Sequence, residues 1–207
     1  MHISEGVLSG PALIGGAAIT AVGVGIGLKS MDEDDIPKIA IVSSALFVAS
    51  LVHIPIGPTS LHLILNGIGG ILLGWQVFPA FLISLLLQGI LFQFGGITTL
   101  GINTLNVALP AILAHYIFRL YGLSDNNFYQ GFISFISGAF AILMTTIMVA
   151  LSLISNNNSF REIANLAVIS HIPVMVIEGT ICTFVILFLE KVKPKILGGI
   201  TYETESK

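Results

Sequence analysis

Apolar runs of about twenty residues, separated by short polar or glycine-proline breaks, organise this chain, and a helix of that length crosses a bilayer. The runs predict about seven membrane segments: Val7 to Leu28, Ile39 to Ile54, Leu61 to Trp75, Pro79 to Phe94, Leu100 to Phe118, Phe128 to Leu153 and Ile163 to Leu189. The first is rich in small residues (Gly15, Gly16, Ala17, Ala18, Gly23 and Gly25), which let helices approach closely. Lys29 to Lys38, with Asp32, Glu33, Asp34 and Asp35, reads as a solvated loop or helix cap. Pro55-Ile56-Gly57-Pro58-Thr59-Ser60 breaks the pattern, and Gly95 to Thr99 forms a glycine-threonine loop. No repeat or linker divides the chain, so residues 1–207 read as a single transmembrane domain.

Composition sharpens this picture. The chain is 55% hydrophobic and 9% charged, with a mean hydropathy of +0.97, whereas a soluble domain carries about 25% charged residues. The net charge of -3 points away from a nucleic-acid partner. The single cysteine, Cys182, excludes an intramolecular disulfide and a cysteine-rich metal site, and reads as a small apolar residue in a helix. The first apolar run is too long for a signal-peptide core and no basic region precedes it, so Met1 is expected to remain the terminal residue and His2 the second. An odd number of spans puts the two ends on opposite sides. A cytoplasmic C-terminus places Lys29, Lys38, Arg119, Lys191, Lys193, Lys195 and Lys207 inside and leaves only Arg161 outside. The expectation is a multi-pass protein of the cell (inner) membrane with Met1 and His2 facing outward.

That location gives His2 its interest. The Met1 amine, the His2 backbone amide and the His2 imidazole can close on one cation as fused five- and six-membered chelate rings. Three coplanar nitrogens leave one equatorial position, and nitrogen ligands in a plane suit Ni(II) or Cu(II). A deprotonated amide supplies negative charge, which lowers the cost of burying the ion and makes binding proton-releasing.

Polar residues within the spans are the other candidates, because they are costly there. His62 follows the Pro-Ile-Gly-Pro break near the start of a helix, with Asn66 at i+4 on its face, and could point into the mouth of the bundle. His53 ends the second segment on the same side and suits a supporting hydrogen bond to a ligand. His115, beside Arg119, reads as interfacial. Glu5 could offset cation charge or cap the first helix. His171 and Glu178 are seven residues apart on roughly one helix face, with Pro173 between them marking a helix start or a kink; a structural pair and a transport role are both open. Asn103 and Asn106 could hydrogen-bond across helices or to the N-terminal strand.

Met1-His2-Ile3-Ser4-Glu5-Gly6 resembles the N-terminus of the CbiM/NikM family, the substrate-binding membrane subunits of energy-coupling-factor transporters for cobalt or nickel. Pro58-Thr59-Ser60-Leu61-His62-Leu63 is similar to that family's Gly-Thr-Ser-Gly-His-Leu motif, with Pro58 and Leu61 in place of glycines. Gly95 to Asn103 resembles its glycine loop, with Thr99 where alanine is common, and His171-Ile172-Pro173 with Ile177-Glu178-Gly179 resembles its last helix. The resemblance implies an all-α bundle of about seven transmembrane helices, its N-terminus inserted into the outer mouth. It implies Ni(II) or Co(II) as transported substrate, held by the Met1 amine, the His2 amide and imidazole, and the His62 imidazole. It implies a coupling transmembrane subunit, two ATPase subunits and a small accessory membrane subunit as partners. His53, Asn66, Asn103, Asn106, His171 and Glu178 are left as supporting or coupling residues, with Glu178 expected to serve assembly or turnover rather than equilibrium binding.

The chain carries no Walker A sequence and no H-E-x-x-H zinc motif, so it is expected to bind and release rather than catalyse, with ATP hydrolysed by partners. The competing reading is a stand-alone proton-coupled metal carrier that uses His171 and Glu178 as a relay.

Overall fold

The fold is that of a computed structural model, which describes residues 2–51, 53–56, 59–123, 126–156 and 160–197. Helices α1 (Gly10–Lys29) and α2 (Ile36–Ala49) lead into a hairpin, β1 (His53–Ile56) and β2 (Thr59–His62). Helices α3 (Asn66–Leu73), α4 (Val77–Phe92), α5 (Leu100–Phe118), α6 (Asn127–Asn156) and α7 (Arg161–Val192) complete the described chain. Among the described residues, five stretches are long and apolar enough to cross a membrane: Gly10–Lys29, Asn66–Phe92, Leu100–Tyr121, Asn127–Ser155 and Arg161–Val192.

Small residues decide how α1 is seated. Gly16, Thr20, Gly23 and Gly27 form its buried stripe. A Cβ on Gly16 would lie 2.7 Å from Ile102 Cβ, and one on Gly23 would lie 2.6 Å from the Phe78 ring. The Thr20 hydroxyl donates to the Gly101 carbonyl at 2.6 Å. Of the small residues singled out from the sequence, Gly15 and Gly25 face open space instead.

The region after α2 departs from the expected all-helical bundle. The apolar run to Ile54 is helical only to Ala49, and residues 53–56 and 59–62 pair antiparallel, with His53 opposite His62 and Ile54 opposite Leu61. His62 is therefore on a strand, not a helix, and Asn66 begins the helix that follows. Non-helical backbone at membrane depth is tolerated where protein satisfies its polar groups, and the hairpin bonds supply part of that. The helix expected over Leu61 to Trp75 shrinks to α3, eight residues long, or ~12 Å at 1.5 Å per residue. α3 alone is too short to span the hydrocarbon core, which is ~30 Å thick.

Asn66–Phe92 is one apolar stretch by composition but two helices by path. Asn66 donates to the Val107 carbonyl, a Cβ on Gly70 would collide with the Ala111 carbonyl, and a Cβ on Gly74 would lie 3.5 Å from the His115 ring. These steps of four residues in both chains run α3 alongside α5 in the same direction. At Gly74 (φ +54°) the chain turns, and α4 runs back until Gly95 lies beside Asn103. Gln76, in that turn, donates to the Ser30 carbonyl at 2.9 Å and to the Asp35 carboxylate at 2.6 Å. The Gln76 bond is the main cause holding the Asp35 carboxyl below its ordinary range. Asp35 also pairs with Lys38 at 3.3 Å, so the acidic loop is partly an anchor for the turn. Lys38, Gln76, His115, Arg119 and Leu197 line one pocket at this end of the bundle.

α7 is a single helix through Pro173, so this proline neither starts the helix nor divides it. It packs along α6 and against α3 and β2. Its buried stripe is Ala164, Ala167, His171, Glu178, Cys182 and Ile186.

Candidate metal centre

Ile3 anchors the N-terminal strand as a fully buried apolar side chain. Its N–H donates to Asn103 Oδ1 at 2.9 Å and its carbonyl accepts from Asn103 Nδ2 at 3.0 Å. One amide side chain on α5 thus clamps the backbone just after His2. Thr99 steadies the clamp: its hydroxyl accepts from Asn103 Nδ2 at 3.1 Å and donates to the Gly96 carbonyl at 3.2 Å. Gly95 closes the arrangement at φ +76°, where a Cβ would also come within 3.0 Å of Asn103 Nδ2 and 3.4 Å of His2 Cβ. Only glycine suits both that backbone region and that space.

The clamp delivers His2 to His62. The two imidazoles lie face to face, with centroids 4.7 Å apart and planes inclined by 27°. Their residues are 4% and 6% exposed, so the pair is shut away from solvent. Phe94 adds a tilted ring 6.3 Å from His2. His62 Nδ1 donates to the Leu63 carbonyl at 2.8 Å, since a carbonyl can only accept, and this puts the lone pair on Nε2. The neutral imidazole is the form that binds metal. Met1 lies outside the described residues. His53 faces His62 across the hairpin by register, and its side chain lies outside the described part.

Glu178 is the unexpected member of the site. Its carboxylate accepts the Ile64 N–H, and both its oxygens accept the Leu65 N–H at 2.9 Å. Leu65 sits at φ +54°, a left-handed conformation that costs a non-glycine residue about 1–3 kcal/mol and persists where its surroundings hold it. A carboxylate from α7 therefore holds the segment joining His62 to α3. Glu178 does not pair with His171, whose Nδ1 donates to the Ala167 carbonyl at 2.6 Å. This bonding extends the expected role of Glu178 from turnover to the geometry of the binding segment.

Other candidates take different places. Glu5 does not cap α1, which has no acidic residue in its first turn; its carboxylate accepts from the Thr98 N–H at 3.2 Å and the Thr98 hydroxyl at 3.4 Å. Asn106 is buried, but its Nδ2 has no hydrogen-bond partner, so it takes no part in the clamp on Ile3. His115 lies at the opposite end of the bundle with Nδ1 on the Gly70 carbonyl at 3.1 Å. Phe94 has no signal in the sequence as a site residue, whereas Thr98 and Thr99 belong to the glycine-threonine loop but carry no role there; their place just before α5 is the signal available for them.

Replacing Asn103 by leucine is expected to orphan the Ile3 N–H and carbonyl while preserving volume. Metal affinity should fall by about 10–100-fold, the usual effect of losing a supporting interaction around a metal. Isothermal titration of the variant checks this, and unchanged affinity would show that the clamp does not position the ligands.

The geometry can be set beside known proteins. A family model described as the cobalt uptake substrate-specific transmembrane region, CbiM, matches residues 2–196. A Haemophilus influenzae chain whose name assigns it to metal transport is 40% identical over 206 residues, covering 96% of this chain and 97% of its own. A fused nickel transport protein, NikMN, of Rhodobacter capsulatus is 36% identical over 115 residues, which cover 53% of this chain and 33% of that one. A crystal structure described as that of a transition metal transporter aligns over 100% of both chains with a TM-score of 0.76 at 24% identity, a likeness of fold.

Proposed function

This chain belongs to the cobalt uptake substrate-specific transmembrane family, CbiM, and from that premise we propose that it is the subunit that captures Ni(II) or Co(II) for an ATP-driven, energy-coupling-factor importer. The observation that carries this reading is the His2–His62 pair. Two imidazoles sixty residues apart in sequence meet face to face in a buried site. In this reading the Met1 amine and the His2 amide and imidazole would supply three nitrogens in one plane, with His62 Nε2 as the fourth. Three nitrogen types, amine, amide and imidazole, that must each lose or lack a proton suit a borderline or soft divalent ion over Mg²⁺, which prefers oxygen ligands.

Lys38 and Arg119 lie at the end of the bundle away from the imidazole pair, together with the turn at Leu197. Basic residues favour the cytoplasmic side, so in this reading the site opens outward at the cell (inner) membrane and the C-terminus is cytoplasmic. The chain binds and releases; a coupling membrane subunit, two ATPase subunits and a small accessory membrane subunit supply the energy and the release. The metal then serves cobalamin synthesis or nickel enzymes.

Uptake of radioactive nickel and cobalt by cells lacking their own importers tests this. Uptake is expected only when the ATPase and coupling subunits are co-expressed. Accumulation by the chain alone in liposomes, abolished by a protonophore, would replace the capture subunit by a proton-coupled carrier.

A further inference from the structure

The N-terminal strand touches the rest of the protein at a second point that metal ligation does not require. The Glu5 carboxylate accepts from the Thr98 N–H at 3.2 Å and from the Thr98 hydroxyl at 3.4 Å. To reach them the side chain lies across Gly96, where a Cβ would collide with Glu5 Cγ and come within 2.6 Å of Glu5 Oε1. Gly96, unlike Gly95, does not have a positive φ, so its missing side chain serves the passage of Glu5 rather than a turn. Glu5 is exposed and, among the described residues, forms no ion pair.

Gly96 also belongs to the clamp on Ile3. Its carbonyl accepts from the Thr99 hydroxyl, which accepts from Asn103 Nδ2, which in turn donates to the Ile3 carbonyl. Residues 3 and 5 of one strand are therefore held by one loop and the start of one helix. A strand pinned only at Ile3 could pivot there and carry His2 off the face of His62. A second pin two residues on removes the pivot, and Gly6 then turns the chain at φ +77°. We propose that Glu5 is a positioning residue for metal capture: its latch on Thr98, laid across Gly96, fixes the orientation of the strand that carries His2 and so sets how fast the ion leaves. This rests on the metal-capture reading above. Ordering a ligand-bearing segment in advance raises affinity mostly through slower dissociation. A carboxylate acting through charge alone would steer cations to the mouth and be screened by salt; it would need neither Thr98 nor the bare side of Gly96.

The test is stopped-flow release of Ni(II) to excess EDTA from full-length proteins with native N-termini in detergent: wild type, Glu5→Ala, Glu5→Gln, Gly96→Ala and the Glu5→Ala, Gly96→Ala double variant. Glu5→Ala should speed release ~10-fold, the scale of losing one supporting group at a metal site. Gly96→Ala should do the same, because the three atoms nearest the new methyl all belong to the Glu5 side chain. The double variant should release no faster than Glu5→Ala, and Glu5→Gln, which keeps an acceptor oxygen, should stay close to wild type. A second readout needs no metal: hydrogen exchange of the Ile3 amide should quicken in Glu5→Ala. Wild-type release in Glu5→Ala, multiplied effects in the double variant, Glu5→Gln as fast as Glu5→Ala, or unchanged Ile3 exchange would each overturn the latch. Failure of the wild type to bind Ni(II) would overturn the capture reading beneath it, and Ile3 exchange would still decide whether Glu5 holds the strand.

Discussion

His2→Ala and His62→Ala are each expected to remove tight Ni(II) or Co(II) binding, with affinity lower by about a thousandfold or more, equivalent to ~4 kcal/mol. The two losses differ in kind. His2→Ala deletes the imidazole and with it the six-membered chelate ring, so only amine and amide remain from the N-terminus. His62→Ala leaves the three N-terminal nitrogens but removes the fourth, which the hairpin presents at 4.7 Å from the His2 ring. Blocking the Met1 amine by acylation should act like His2→Ala, because the acylated nitrogen would have to lose a further proton before it could bind. Neither histidine carries the fold: the strand is anchored by Ile3 and Asn103, so thermal unfolding should change little. Affinity of the unaltered protein should fall as pH falls, since metal binding displaces protons. The amine and the amide each give up a proton to the ion, so they carry that dependence near neutral pH. Isothermal titration across pH reads all of this, and wild-type affinity in either variant would remove the site assignment.

Glu178→Ala is expected to give the second large effect, on stability and affinity together. The carboxylate accepts backbone N–H groups of Ile64 and Leu65. Removing it orphans both in a buried place, at about 1–3 kcal/mol for each. It also releases Leu65 from its left-handed conformation, so the strand end carrying His62 loses its register. Thermal unfolding in detergent should shift down by several degrees, and Ni(II) affinity should drop about 10–100-fold. Glu178→Gln keeps one acceptor oxygen and should fall between Ala and wild type. Reduced stability with unchanged affinity would confine Glu178 to holding helices together. If affinity falls as well, α7 and the binding segment move as one body, and a displacement of α7 by a partner would reach the metal directly.

Much of the architecture is legible because hydropathy is a local signal. Leu100 to Phe118 as read from the pattern is α5 itself, and the last two runs differ from α6 and α7 by one to three residues at each end. The break at Pro55 to Ser60 was visible as a break, but its nature was not. Helix and strand both follow a short apolar run, and whether such a run pairs with its neighbour is settled by the register of the two strands. The extent of α3 is hidden for the same reason: Leu61 to Trp75 is predominantly apolar, yet His62 pairs with His53 and the helix begins only at Asn66.

The site divides along the same line. Residue types and their order along the chain are sequence properties: an imidazole at position 2, another at 62, asparagines after a glycine loop, and a carboxylate in the last helix. These determine a membrane protein and supply its candidate nitrogen ligands. Only the tertiary structure decided which groups meet. Asn103 binds Ile3 across a hundred residues, Glu178 binds Leu65 rather than His171, and Glu5 binds Thr98 rather than the first helix. Each of these is a directional bond a few ångströms long between groups far apart in the chain. Helix packing sets such distances, through close approaches such as Gly16 on Ile102 and Gly70 on Ala111, and no local pattern encodes them.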